Sequence, residues 1–168
     1  MKDNIILIGM PGCGKSTIGV LLAKNLAYGF LDSDLVIQEQ SGRKLQDMID
    51  EMGPEAFSAF EDAVNATLIP HNTVIATGGS AVYGTRAMEH FKQIGTVVYL
   101  KASYETIEKR IRNFATRGIV IPEGQTFRDV YNERTALYEK YADITVDVDA
   151  DKADIWDVVE TITAKLNH

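Results

Sequence analysis

Short runs of aliphatic and β-branched residues recur along the chain. They are Asn4 to Gly9 (NIILIG), Phe30 to Asp34 (FLDSD), Thr73 to Gly79 (TVIATGG), Thr96 to Ala102 (TVVYLKA) and Ile144 to Val148 (ITVDV). Most are apolar throughout rather than alternating with polar residues, which suits strands covered on both faces, as in a parallel sheet. Between them the apolar period lengthens to that of a helix. Ile18, Leu21, Leu22 and Leu26 share one helical face, and similar patterns cover Ala87 to Gln93, Tyr104 to Arg112, Arg128 to Tyr141 and Ala153 to Leu166. The stretch from about Leu35 to Leu68 reads as helices broken near Ser41-Gly42 and Gly53-Pro54. Strands alternating with helices predict an α/β fold with a five-stranded parallel sheet. Residues Asn113 to Phe127 hold two glycines and a proline with weak periodicity. A long loop in a compact chain predicts a mobile, functional lid there.

Composition narrows the class. At 168 residues and 45% hydrophobic, the chain suits one well-buried core. The net charge of -7 disfavours nucleic acid as the main partner, because phosphate backbones need basic stripes. Cys13 is the single cysteine, so neither an internal disulfide nor a thiolate metal framework can form, and a reducing cytoplasm is the natural compartment. The apolar run before Gly9 is too short for a leader or a membrane span. With no heptad or obvious apolar patch, a monomer is expected.

Candidate chemistry begins at Gly9, Gly14, Lys15 and Ser16, which fit G-x-x-x-x-G-K-[ST] between a predicted strand and a predicted helix. Glycines let backbone N–H groups turn toward phosphate oxygens, the lysine reaches the outer phosphates, and the serine hydroxyl sits on Mg²⁺. Gly12, Cys13, Gly14, Lys15, Ser16 and Thr17 are therefore the expected ATP-binding loop. No Asn-Lys-x-Asp is present to read guanine, and the chain is short for a motor or transporter, which points to a small-molecule kinase. Asp32 and Asp34 end the second predicted strand, at the sheet edge where ligands bind. Alternate strand residues point the same way, so one carboxylate could serve the metal and the other could orient the acceptor hydroxyl or take its proton. Alternatively, Asp34 caps the helix that follows. Gly78 and Gly79 end the third strand and allow close backbone approach to a ligand.

These stretches together, GMPGCGKST, FLDSD, ATGGS, VVYL and YNERTALYEKYAD, make the chain resemble the shikimate kinase family over nearly its whole length. The resemblance implies a nucleoside monophosphate kinase-like, three-layer P-loop fold with a helical substrate-binding region at about 33–70 and a lid at about 113–125. It also implies transfer of the γ-phosphate of ATP to the 3-hydroxyl of shikimate, with Mg²⁺. By position, Lys15 would bind the transferring phosphate, Ser16 and Asp32 would hold Mg²⁺, and Asp34 would contact the acceptor and act as base. Gly78 and Gly79 would bind substrate through the backbone. Arg117 is similar to the lid arginine, Arg110 to a residue of the adenine pocket, and Arg134 to the arginine that grips the substrate carboxylate.

Three stretches depart from the family pattern. Where the family has Phe-Arg-x-x-Glu, with the arginine on the substrate carboxylate, this chain has Phe57, Ser58, Ala59, Phe60 and Glu61. The substrate-binding position is thus Ser58, and Arg43, Lys44 or Arg86 could supply the missing charge. A glycine triplet has become Gly78-Gly79-Ser80, and the lid reads ATRGIVIPEGQ rather than arginine-proline-leucine. Ser58 leaves open a same-fold kinase with another hydroxylated acceptor. A nucleotide-binding regulator without turnover is the further alternative.

Overall fold

The computed structural model describes residues 2–112, 119, 121–149 and 154–167. Five parallel strands form one sheet in the order β2-β3-β1-β4-β5: β1 Asn4–Ile8, β2 Gly29–Asp32, β3 Thr73–Ala76, β4 Gly95–Lys101 and β5 Ile144–Asp147. The fold is α/β, as the alternation of apolar runs and helical faces predicts. The central β1 is buried at every residue, and Leu7 pairs with Ala76 on one side and Val98 on the other. This is why its run carries no polar alternation: helices cover both faces of the sheet.

The helices are α1 Lys15–Leu26, α2 Ser33–Ser41, α3 Leu45–Met52, α4 Pro54–Asn65, α5 Thr85–Ile94, α6 Tyr104–Arg112, α7 Phe127–Tyr141 and α8 Ile155–Leu166. Their ends follow local chemistry. Pro54 opens α4, where its missing N–H has no helical partner to lose. Thr126 and Asp129 form a reciprocal capping box at the start of α7. The main core lies between sheet and helices and includes Ile6, Leu7, Leu22, Phe91, Val97, Leu100 and Ile162. A smaller core of Ile37, Met48, Phe57 and Val64 ties α2, α3 and α4 into a separate helical corner. That corner stands beside the carboxyl ends of β1 and β3.

The second strand is shorter than FLDSD suggests. It stops at Asp32, and Asp34 lies in the first turn of α2. The reason is the Asp32 side chain, whose Oδ1 accepts from the Asp34 N–H at 3.0 Å and caps the helix. The helix cap is therefore Asp32, not Asp34. Among the described residues, no helix is long and apolar enough to cross a membrane.

Candidate active site

The carboxyl edge of the sheet opens into a cavity of about 420 Å³. One side is the loop between β1 and α1. Gly14 turns into α1 with φ +101°, a left-handed geometry that a side chain would strain. The first-turn N–H groups of α1 have no carbonyl one turn earlier in the helix, so they are free to meet an anion. Gly12, Gly14, Lys15, Ser16 and Thr17 line this side. Lys15 is buried, and its Nζ donates to the carbonyls of Gly9 at 2.7 Å and Met10 at 2.9 Å. Cys13 is buried behind the loop rather than lining the cavity.

Ser16 Oγ donates to Asp32 Oδ2 at 3.2 Å. This puts a hydroxyl and a carboxylate together at the mouth, a pair of hard oxygen ligands suited to Mg²⁺. Among the described residues, no cluster of three or more His, Cys, Asp or Glu side chains could hold a metal. The two donors therefore fit an ion that keeps waters and phosphate oxygens as its other ligands. Arg110 is half-buried and does not line the cavity; its Nη1 donates to the Gly12 carbonyl at 2.8 Å and braces the loop from α6.

The opposite side carries the acceptor candidates. Asp34, Glu61, Gly78, Gly79, Ser80 and Arg134 all line the cavity. Asp34 Oδ1 is buried without a hydrogen-bond partner. Burial and the neighbouring Asp32 raise its pKa to about 6, with Lys15 acting against them. Arg134, on α7, is only 3% exposed, and its guanidinium stands 5.5 Å from the Tyr83 ring centre. The glycine strip is pinned from the same helix, because Tyr138 Oη donates to the Gly79 carbonyl at 2.6 Å. A cation, an aspartate and exposed backbone thus face a single space, with Lys15 across it.

Glu61 is the residue that the sequence left without a role. It is 2% exposed, and Ser80 Oγ donates to its Oε1 at 2.7 Å. Burial raises its pKa to about 7 against the Ser80 bond; Asp34 pushes further up and Arg134 down. Its spacing from Phe57, one helical turn, was the available signal, since both residues line the cavity. Leu45, Ile49, Thr77 and Pro11 complete the walls.

Ser58 does not line the cavity, and neither do Arg43, Lys44 or Arg86. Arg43 instead pairs with Glu51. Among the described residues, the cations that line the space are Lys15 and Arg134. Arg117 lies outside the described residues, as do 113–118 as a whole and 120. Ile119, from the same stretch, lines the cavity.

The family model described as shikimate kinase matches residues 11–167. The shikimate kinase of Thiobacillus denitrificans is 37% identical over 149 residues, covering 87% of this chain and 81% of that protein. That of Chlorobium chlorochromatii is 36% identical over 175 residues, covering 98% and 90%. Among solved structures, shikimate kinase from Acinetobacter baumannii in complex with shikimate superposes with a TM-score of 0.86 at 30% identity, covering 99% of this chain and 94% of that one. The Aquifex aeolicus enzyme gives 0.78 at 28% identity, covering 98% and 96%.

Proposed function

We propose a working site for a chain that belongs to the shikimate kinase family: ATP-dependent transfer of a phosphoryl group to a hydroxyl of shikimate. The observation that carries the reading is Asp34, a half-buried carboxylate whose Oδ1 is buried and unpartnered, sharing one cavity with Lys15 and Arg134. Phosphoryl transfer asks the protein mainly for positioning and charge neutralisation, and this arrangement supplies both.

In this reading Gly12, Gly14 and Thr17 cradle the nucleotide phosphates while Cys13 fills the loop from behind. Lys15 leaves the Gly9 and Met10 carbonyls for the transferring phosphate. Ser16 and Asp32 hold Mg²⁺, which when bound neutralises phosphate charge. Asp34 orients the attacking hydroxyl and takes its proton; a carboxyl with a pKa near 6 is ionised at neutral pH yet more basic than a solvated aspartate. Arg134 pairs with the acceptor carboxylate, and Gly78 and Gly79 offer backbone to its ring. Arg110 steadies the loop beside the adenine, and Arg117 closes over the phosphates from a lid at 113–125. The chain works as one domain, with 33–70 as the acceptor region, as a monomer in the cytoplasm.

Coupled ATP turnover with Mg²⁺ and shikimate tests this. Saturable turnover that Lys15→Ala lowers by about a thousand-fold or more supports it. ATP binding without shikimate turnover would refute the acceptor. Such a result would favour the second reading, another hydroxylated acceptor, for which Ser58 at the family's arginine position is the motivating observation.

A further inference from the structure

Glu61 and Ser80 take no part in the scheme above, yet both line the cavity. Ser80 holds Oε1 of the carboxyl, and Oε2 faces Gly78. A Cβ built on Gly78 would stand 2.6 Å from Asp34 Oδ1 and 3.0 Å from Glu61 Oε2, so two carboxyl oxygens converge over one glycine. Two departures from the family pattern bear on this group. Position 58 lies three residues before Glu61 on α4, a helix-neighbour spacing at which an arginine could pair with it. Here that residue is serine, and the polar partner comes instead from Ser80, where the family pattern has glycine. The other charged groups facing Glu61 are Asp34 from α2, Asp62 from α4 and Arg134 from α7. Among all influences on the carboxyl, the Ser80 bond is the largest that favours its ionised form.

We propose that Ser80 is a positioning residue of the acceptor pocket, acting through the Glu61 carboxylate. The Ser80 hydroxyl holds the Glu61 carboxylate over Gly78, in the place of a cation at position 58. Glu61 Oε2 then accepts from a second hydroxyl of the acceptor, adjacent to the one Asp34 addresses. The proposal rests on the kinase reading of this cavity.

The test compares the parent with Ser80→Ala, Ser80→Thr and the double variant Ser58→Arg/Ser80→Ala. Two quantities are read: KM and kcat for shikimate between pH 6 and 9, and the titration of the Glu61 carboxyl by carbon NMR without acceptor. Ser80→Ala is expected to raise KM about ten-fold with most of the loss in KM, and to move the Glu61 titration to higher pH. Ser80→Thr retains the hydroxyl and restores both. Arginine at position 58 restores KM in the Ser80→Ala background and, without acceptor, returns the Glu61 titration to lower pH. The proposal is overturned by a KM for Ser80→Ala within about two-fold of the parent. It is also overturned by a raised KM with an unmoved Glu61 titration, which would mean general packing damage. Absence of shikimate turnover in the parent overturns the acceptor reading and not the Ser80–Glu61 bond, which the carboxyl titration decides on its own.

Discussion

Replacing Glu61 by glutamine should make the protein more stable at alkaline pH and less active. Glu61 is 2% exposed, and its pKa rises from 4.5 to about 7. Burial outweighs both the Ser80 bond and the attraction of Arg134. A folded state that keeps a proton which the unfolded chain has released loses stability as pH rises. The loss begins near pH 4.5, is complete above about pH 7, and is absent at acid pH. At about 1.4 kcal/mol per pH unit the full cost is about 3 kcal/mol. Glutamine keeps the volume and the oxygen that accepts from Ser80 but has no charge to bury. The expected gain is therefore about 1–3 kcal/mol at pH 8 and close to zero at pH 4. For a chain of this length the gain corresponds to about 2–4 °C in Tm per kcal/mol.

Urea unfolding of both proteins at pH 4, 6 and 8 measures the difference directly, with the midpoint read alongside the slope. The reasoning is refuted if the two proteins differ equally at all three pH values, or if glutamine destabilises at pH 8. Either result would mean that Arg134 compensates the charge fully and that the carboxylate is not held at a cost. A gain in stability joined to a loss in acceptor affinity would mark Glu61 as a functional residue retained against stability.

Asp34→Asn should lower kcat by about a hundred-fold or more, and the fall in kcat/KM below about pH 6 in the parent should disappear from the residual activity, as pH–rate profiles would show. Gly78→Ala should impair acceptor binding while leaving ATP binding within about three-fold, because its Cβ meets the carboxyl oxygens of Asp34 and Glu61 rather than the phosphate loop; calorimetry with each ligand separates the two. Arg134→Lys keeps the charge but loses the planar fork, and should raise the acceptor KM by about ten-fold or more with a smaller effect on the KM for ATP.

What could be read from the sequence, and what could not, divides by the range of the interaction. Continuous apolar runs identified the strands because burial on both faces leaves no polar alternation, and the glycine spacing identified the phosphate loop because its mechanism is local. Asp34 shows where local reading goes astray. Alternation along a strand placed it beside Asp32 at a strand end, whereas the Asp32 side chain caps the backbone and starts a helix at Ser33. A cap and a strand end can share the same residues, and a single side-chain bond decides between them. Glu61 lies beyond local reading altogether. Its turn of α4 is tied to the start of α5 by Asp62, whose Oδ1 accepts from the Ala87 N–H at 2.7 Å, and to the helical corner's own core by Phe57. The departures at positions 58 and 80 were each visible in the sequence, and there they looked like two separate losses from the family pattern. Only the approach of α4 to the Gly78-Gly79-Ser80 strip brings both next to one carboxyl group. In that setting the serine at position 80 supplies a partner to the residue that the serine at position 58 leaves without a cation on its own helix.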